Sequence, residues 1–422
     1  MSPSWQEHVE AVLALGASGP ICLECLGRTF AKMGRGLSND LRGRVLRLLL
    51  ASQGIEVREG PCWICGDAFV DLGRWVDEAA RRAEGFEFAT YLFGVRLSPR
   101  LSEMEPFVEE RFGVGTAETT KHAFNRALGL LFDRRFPGTT VGFKSPDISF
   151  LIDLERGVMQ THIASIYLLG RYRKLERGIP QTKWPCRKCR GRGCDACAGS
   201  GLQYAESVES LVSDPFVEAS GSSGSRFHGA GREDIDARML GSGRPFVLEL
   251  LEPRIRTLDW HALSDEANRR AAGRIQISPL VPATRKTVEI VKESKSRKRY
   301  RARVRFEAPV DPESLTEALA SLVGKIAQRT PQRVSHRRAD LVRPRRLYAA
   351  EGEWIDATTA DVRLETEGGL YVKELISGDN GRSDPSLAAR LGIPARVFEL
   401  DVTHVEWPKG AGEAMDMPEV QE

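Results

Sequence analysis

The sequence has no long apolar segment. Hydrophobic residues make up 41% of its 422 positions and charged residues 28%, and no stretch approaches the roughly 20 consecutive apolar residues that cross a bilayer. This composition excludes a membrane protein. The opening residues, MSPSWQEHVEAVLAL, also lack the basic segment with which a secretory signal begins. We therefore expect a cytoplasmic protein whose cysteines lie in a reducing compartment.

A large excess of charge of either sign is missing as well. Lys and Arg number 61 against 58 Asp and Glu, which leaves a net charge of +3. The overall balance gives no sign of a nucleic-acid partner, so only local clusters of charge can indicate one. The pattern G-x-x-x-x-G-K-[ST] does not occur either, which excludes a phosphate-binding loop of that kind.

No cysteine stands outside a C-x-x-C pair. Two such pairs supply the four thiolates of a closed tetrahedral zinc site, so the sequence predicts two structural zinc ions. Redox dithiols or free thiols in the core are the alternatives. The four pairs are Cys22/Cys25, Cys62/Cys65, Cys186/Cys189 and Cys194/Cys197.

Two motifs near these cysteines suggest other functions. His8-Val9-Glu10 and Pro61-Cys62-x-x-Cys65 imitate the H-x-E and P-C-x-x-C signature of zinc deaminases, although that interpretation leaves one C-x-x-C pair without a role. The segment CRKCRGRGCDACAGSG resembles the cysteine repeats of J-domain chaperones. The chain lacks the His-Pro-Asp tripeptide on which those chaperones depend, so we expect only a basic zinc ribbon at 186–197.

The length predicts two or three domains, and the helical and strand patterns along the chain indicate a mixed α/β (α+β) class. We expect a zinc-stapled module at 1–70, an alternating α/β domain at 71–175, and a strand-rich domain at 176–405 that carries the ribbon. The polar residues 406–422 are expected to be disordered. The first module should contain a helix capped near Ser38, with its apolar face formed by Leu41, Val45, Leu46, Leu48 and Leu49.

In the α/β domain we expect helices at DLGRWVDEAARRAEG and TAETTKHAFNRALGLLFDRRF and a strand at FATYLFGVRL. A hairpin should turn at Glu155-Arg156-Gly157. The domain then ends in the basic run GRYRKLERG.

Basic residues also cluster in two runs of the last domain, 292–306 and 332–346. The density of arginine favours contacts with the phosphates of an RNA, and Arg337 and Arg338 are the candidate contacts in the second run. A solvated charged surface is the alternative.

The segment 227–250, FHGAGREDIDARMLGSGRPFVLEL, concentrates carboxylates and guanidinium groups. Gly229 and Gly231 allow a close approach of the backbone, and strand spacing would place Asp234 and Asp236 on one face. Taken alone, the segment fits a salt-bridged surface hairpin slightly better than an active site.

Several motifs in order along the chain resemble one enzyme family. GRED at 231–234 is similar to the G-R-x-D element of pseudouridine synthases, and KSPDISFLIDL resembles THUMP RNA-binding domains. The longer strings are GREDIDARMLGSGRPF, KRYRARV, QRTPQRVSHRRADLVRPRR and GGLYVKELISGDNGRSDPSLAARLG. Together they resemble the archaeal and eukaryotic tRNA pseudouridine synthases that act on uridines 54 and 55 of the TΨC arm.

That resemblance implies a zinc- and THUMP-containing N-terminal half and a mixed-sheet synthase domain. It implies tRNA as the partner, with neither an organic cofactor nor an obligate protein partner. It also assigns roles to particular residues. Asp234 matches the catalytic aspartate, Tyr300 the active-site tyrosine, Lys373 the basic residue paired with the aspartate, Leu400 an apolar residue near the base, Val372 a position that often holds isoleucine, and Arg232 a substrate contact.

The reaction breaks the bond from N1 to C1′ of a uridine, turns the freed base and rejoins it through C5. Asp234 would act either on the base or at the ribose. The main alternative is a zinc-containing tRNA-binding protein without catalytic activity. THUMP-containing methyltransferases and thiouridine synthetases are disfavoured, because the chain shows no Gly-rich nucleotide-binding loop between a strand and a helix.

Overall fold

The computed structural model describes residues 4–33, 36–112, 115–335, 339–413 and 417. The chain divides into two compact units, residues 1–164 and 165–422. Both units mix helices with sheets, which confirms the expected fold class. None of the helices in the described part of the chain has the length and apolarity needed to cross a bilayer.

The first unit packs helices against a small sheet of four strands in the order β2-β1-β3-β4. Strands β1 and β3 are parallel, and β3 and β4 form the predicted hairpin. The elements are α1 (Trp5–Ala17), α2 (Leu23–Thr29), α3 (Asn39–Ser52), α4 (Leu72–Ala83), β1 (Thr90–Arg96), α5 (Pro99–Phe112), α6 (Thr120–Arg135), β2 (Thr140–Val141), β3 (Ile148–Asp153) and β4 (Val158–Ile163).

One hydrophobic core runs through this unit. It joins Leu15 and Ile64 of the cysteine-containing segment to Phe124 and Phe150 of the α/β segment. The predicted boundary at 70 therefore falls within one compact unit, because the segment that carries the first four cysteines shares its core with the α/β segment.

Helix α3 turns a different face inward from the one predicted. Leu41, Val45 and Leu48 are exposed, and the helix buries Arg42 and Gly43 instead. A Cβ added to Gly43 would lie 2.2 Å from the carbonyl oxygen of Leu23. The small residue thus lets α2 and α3 pack more closely than leucine would, and this contact decides which face is buried.

The second unit is built on a large mixed sheet. Its described strands run in the order β14-β11-β12-β13-β10-β15-β7-β5-β8, with β6 beside β7 and β9 beside β5. The elements are β5 (Ile166–Lys174), α7 (Val208–Ser220), β6 (Gly224–Gly229), β7 (Ala237–Leu251), α8 (Trp260–Ala271), β8 (Ile275–Ile277), β9 (Val281–Ala283), α9 (Arg285–Glu293), β10 (Lys298–Phe306), α10 (Pro312–Leu322), β11 (Gly324–Arg329), β12 (Val342–Asp356), β13 (Thr359–Thr366), α11 (Val372–Ser377), β14 (Ser383–Asp384), α12 (Leu387–Leu391) and β15 (Ala395–Val405).

Two predicted boundaries of this domain need correction. Strand β5 belongs to the second unit, since it pairs with β7 from Ile166 opposite Leu250 onward, so the division lies at 164 rather than 175. The described part of the predicted disordered tail is packed against the domain. Ala411 and Met417 are buried, and the Arg171 guanidinium lies 4.7 Å from the ring centre of Trp407.

Candidate active site

A cleft of about 580 Å³ opens in the second unit. It lies where the β6–β7 loop, residues 230–236, meets β10, β15, α11 and a 3₁₀ turn at 332–334. Six of the predicted site residues line this cleft: Arg232, Asp234, Tyr300, Val372, Lys373 and Leu400. Arg337 and Arg338 lie outside the residues that the structure describes.

The loop that carries Asp234 makes a tight turn that requires a glycine. Gly231 has a φ of +85°, which favours glycine because other residues are strained there. A Cβ at this position would also lie only 2.4 Å from Nζ of Lys298. Asp234 and Asp236 lie in this loop, before β7 begins at Ala237, rather than on one face of a strand.

Two cations flank the Asp234 carboxylate. Nη1 of Arg333 donates to Oδ1 at 3.0 Å, and Nζ of Lys373 lies 3.3 Å from Oδ2. Burial opposes ionisation, but the two cations outweigh it and hold the pKa of Asp234 below its usual value. The carboxylate is therefore ionised at neutral pH.

Lys373 lies between two aspartates rather than beside one. Its Nζ is 2.7 Å from Oδ2 of Asp236, closer than to Asp234. Asp236 is the more exposed of the two, with 67% of its side chain accessible against 35% for Asp234. The expected pairing of Lys373 with Asp234 is thus present but shared, and Lys373 lies in the first turn of α11.

Arg333 is one of the site residues that sequence reasoning did not single out. It lies within the basic run 332–346, and its Nε donates to the buried Glu374 at 2.6 Å while Nη1 reaches Asp234. Burial lowers the pKa of Arg333, but the two carboxylates outweigh this effect and raise it. The basic run indicated that this segment has a function, but nothing in its sequence distinguishes Arg333, which turns inward, from the other arginines.

The floor of the cleft is apolar. Tyr300 on β10 is half-buried, and Val372 and Leu400 are almost fully buried. Strand β10 pairs with β15, which sets Tyr300 opposite Val402 and Ala302 opposite Leu400. Burial raises the pKa of Tyr300 against the opposing effect of Arg244, so the phenol is neutral. A flat uncharged ring of small size fits such a pocket.

Aromatic residues that the sequence analysis did not select form one edge of the cleft. Trp184 and Tyr204 flank the cysteine ribbon, with ring centres 5.6 Å apart. The guanidinium of Arg232 lies 5.0 Å from the centre of the Trp184 ring. Flat aromatic and guanidinium surfaces of this kind stack on unpaired nucleobases.

The eight cysteines gather into the two predicted groups. Within each group the four sulfur atoms lie within 4.8 Å of one another. Neighbouring sulfurs are 3.6 Å apart in the first group, between Cys22 and Cys65, and 3.7 to 3.9 Å apart in the second. A tetrahedral zinc with Zn–S bonds of about 2.3 Å needs sulfurs about 3.8 Å apart, so both groups can hold a metal ion.

The deaminase interpretation of the first group is wrong. Cys22 and Cys25 join Cys62 and Cys65 in one cluster, whereas His8 lies in α1 with its Nδ1 2.7 Å from the backbone oxygen of Ser4. All four ligand positions are thus taken by sulfur.

Similarity to known proteins covers nearly the whole chain. A model described as "Pus10, C-terminal" matches residues 167–406, and one described as "Pus10 THUMP domain, archaeal" matches residues 75–153. Three relatives named tRNA pseudouridine synthase Pus10 are 44%, 42% and 45% identical. They come from Halorubrum lacusprofundi (94% of this chain and 96% of the relative), Methanothrix thermoacetophila (92% and 92%) and Methanothermobacter marburgensis (96% and 99%).

The chain belongs to the Pus10 family. It is therefore a pseudouridine synthase, an isomerase, and its first unit contains a THUMP domain. The resemblance inferred from GRED and the other motifs is confirmed.

The basic run at 292–306 has a different place in this Pus10 protein from the one expected. Much of it forms β10, an interior strand of the sheet between β13 and β15. Arg299 pairs with Glu365 at 3.0 Å, and Arg301 and Arg303 both pair with Asp361 within 2.8 Å. These arginines have intramolecular partners, so the run does not by itself indicate an RNA-binding surface.

Proposed function

We propose that this protein converts uridine 54, uridine 55 or both to pseudouridine in the TΨC arm of tRNA, with Asp234 as the catalytic carboxylate. The observation that carries the proposal is an ionised aspartate between two cations, in a cleft whose floor is apolar. The tRNA substrate follows from the names of the relatives. The predicted cytoplasmic location suits this substrate.

Each predicted residue has a role in this proposal. Arg333 and Lys373 keep the Asp234 carboxylate ionised as the cleft closes over a nucleotide and water leaves. Tyr300 lies against the flipped base and is placed to assist removal of the C5 proton. Leu400 and Val372 supply the apolar surface on which the base packs.

The RNA is held at the edge of the cleft. Arg232, supported by the Trp184 ring, contacts the phosphate or base beside the target. Arg337 and Arg338 lie four and five positions after Arg333 in the chain and add phosphate contacts. The target base must leave its stack to reach Asp234, as in other enzymes that act on a base.

The chemistry requires a carboxylate and no organic cofactor. The substrate loses the bond from N1 to C1′ and gains one from C5 to C1′, while the C5 proton is transferred to N1. The overall atom count is unchanged and no electrons enter or leave. Asp234 can serve either by adding to C6 of the base or by acting at the ribose.

We propose zinc as the metal of both cysteine groups, namely Cys22, Cys25, Cys62 and Cys65, and Cys186, Cys189, Cys194 and Cys197. Four thiolates in a closed tetrahedron are typical of structural zinc sites. Such an ion would hold the chain, and no step of the isomerisation runs through it. In the second unit it would hold the ribbon that ends at Trp184 and Tyr204.

The test compares two neighbouring aspartates. Asp234→Asn preserves size but removes the charge, so we expect pseudouridine formation to disappear while folding and tRNA binding persist. Asp236→Asn is the matched control and should reduce the rate far less, because Asp236 is exposed. Single-turnover rates on an unmodified transcript, with carbodiimide mapping of the product, measure both. Wild-type activity of Asp234→Asn would refute the mechanism, and an inactive Asp236→Asn beside it would move the role to Asp236.

A further inference from the structure

The basic run that opens the second unit is turned inward. Arg171, Arg173 and Lys174 are 7%, 4% and 0% exposed, although a run with this composition normally indicates a surface for a polyanion. The run ends at Arg177, which is 29% exposed and lines the cleft. Most of the basic side chains of this run are therefore buried inside the protein.

Lys174 binds the backbone of the β6–β7 loop, residues 230–236, which is called the Asp234 loop below. Its Nζ donates to the carbonyl oxygens of Asp234 at 3.2 Å, Ile235 at 3.1 Å and Ile179 at 2.8 Å. An ammonium group has three N–H donors, and these three carbonyls use all of them. One buried side chain thus fixes the peptide units on both sides of Ile235, next to the carboxylate.

Arg177 binds the other end of the same loop. Its Nη1 donates to the carbonyl oxygens of Asp236 at 2.8 Å and Leu400 at 2.7 Å, and its Nη2 donates to the carboxylate of Asp401 at 2.7 Å. The guanidinium therefore connects the loop to β15, the strand that carries Leu400. Its fixed fork of donors sets the distance between the two backbones.

We propose that Lys174 and Arg177 are positioning residues, which hold the backbone of the Asp234 loop and of Leu400 in the geometry that the isomerisation needs, and that they do not bind RNA phosphates. A displacement of about 1 Å can lower an enzymatic rate roughly a hundredfold. The inference rests on the proposed role of Asp234.

The experiment separates turnover from binding. For Lys174→Met we expect the single-turnover rate at saturating tRNA to fall about ten- to a hundredfold, with an unchanged Kd and an unchanged dependence of Kd on salt. Lys286→Met is the matched control, since Lys286 is exposed on α9, and should leave the rate unchanged. A weaker Kd with a salt slope lower by about one unit, at an unchanged rate, would make Lys174 a phosphate contact and overturn the proposal.

Arg177 gives a second test. Its side chain is 29% exposed, so its substitution disturbs folding less than a change at the fully buried Lys174. Arg177→Met should lose rate, and Arg177→Lys should recover part of it because a lysine can still reach one of the two carbonyls. Equal loss in both variants, with a lowered melting temperature, would indicate a structural role only and count against positioning. If Lys174→Met does not fold, this pair decides.

The outcome for Asp234→Asn keeps the two proposals apart. An active Asp234→Asn enzyme means that the proposed function fails. An inactive Asp234→Asn enzyme, beside Lys174→Met and Arg177→Met variants that turn over at the wild-type rate, means that only the positioning inference fails.

Discussion

At the scale of single residues, the site depends on how two cations share three carboxylates. Arg333 divides its guanidinium between Glu374 and Asp234, and Lys373 lies between Asp234 and Asp236. Removing either cation leaves the half-buried Asp234 with one partner. Because burial alone raises the pKa of a carboxyl group, the remaining partner has to offset the whole effect.

The pH dependence of the rate tests this arrangement. The pKa of Asp234 is lowered in the native protein, so the carboxylate stays ionised to lower pH than an ordinary aspartate. In Arg333→Met we expect that pKa to rise, because the carboxylate loses one of its two cations, and the acid limb of the rate profile should move to higher pH. Single-turnover rates between roughly pH 4 and 8 measure the shift.

Arg396→Met is the control for charge removal, since Arg396 is exposed on β15, and its acid limb should stay in place. An Arg333→Met profile that overlays the wild-type profile would show that Arg333 does not support the carboxylate. A loss of rate equal at every pH would likewise contradict this prediction.

The individual site residues were predictable to different degrees. Asp234 and Tyr300 lie in motifs that resemble those of the family, so the sequence alone identifies both residues. Arg333 could not be selected in this way, because its role comes from meeting Glu374, which lies 41 positions later. The inward position of Lys174 could not be predicted, since a buried lysine and a phosphate-binding lysine look alike in sequence.

At the scale of elements, strand pairing decides which partners the arginines of the basic run at 292–306 meet. Strand β10 lies beside β13, whose Asp361 and Glu365 accept the arginines of β10. No sequence pattern within the run shows this, because the acidic partners lie about 60 positions away and reach the arginines only through strand pairing. The partners of these arginines therefore depend on the register of the strands, which the composition of the run does not reveal.

The dependence of tRNA affinity on salt should show which of the runs at 292–306 and 332–346 contacts RNA phosphates. Changing Arg337 and Arg338 together to Ala should weaken binding and flatten the slope of log affinity against log salt by about one unit for each lost phosphate contact. Changing Arg299 and Arg303 to Ala is the matched comparison, and its slope should equal that of the wild type. Filter binding at several salt concentrations gives both slopes. The reverse pattern would place the RNA along β10.

At the scale of the whole molecule, the two cysteine groups serve different units. The first lies within the shared core of residues 1–164, and the second forms the ribbon beside the cleft. Their existence was predictable from spacing alone, since C-x-x-C pairs fix two ligands each. The unit boundary was not, because the sheet to which β5 belongs is decided by its pairing with β7.

Metal content tests this division. Protein purified without chelator should contain two zinc ions per chain by elemental analysis. The double change Cys194→Ser and Cys197→Ser should leave one zinc and slow the reaction, because the ribbon no longer places Trp184, while the melting of the first unit is preserved. The matched double change Cys62→Ser and Cys65→Ser should remove the other zinc and destabilise the first unit. Protein free of zinc, with full activity, would refute both assignments.

The position of β15 has a consequence for synthesis of the protein. This last strand lies between β10 and β7, so the large sheet stays in two halves until the ribosome has released residues 395–405. A nascent or truncated chain exposes two open strand edges, which are templates for aggregation. Such a chain also lacks Leu400, so the wall of the cleft is incomplete. The strand that joins the two halves of the sheet is thus also the strand that completes the cleft.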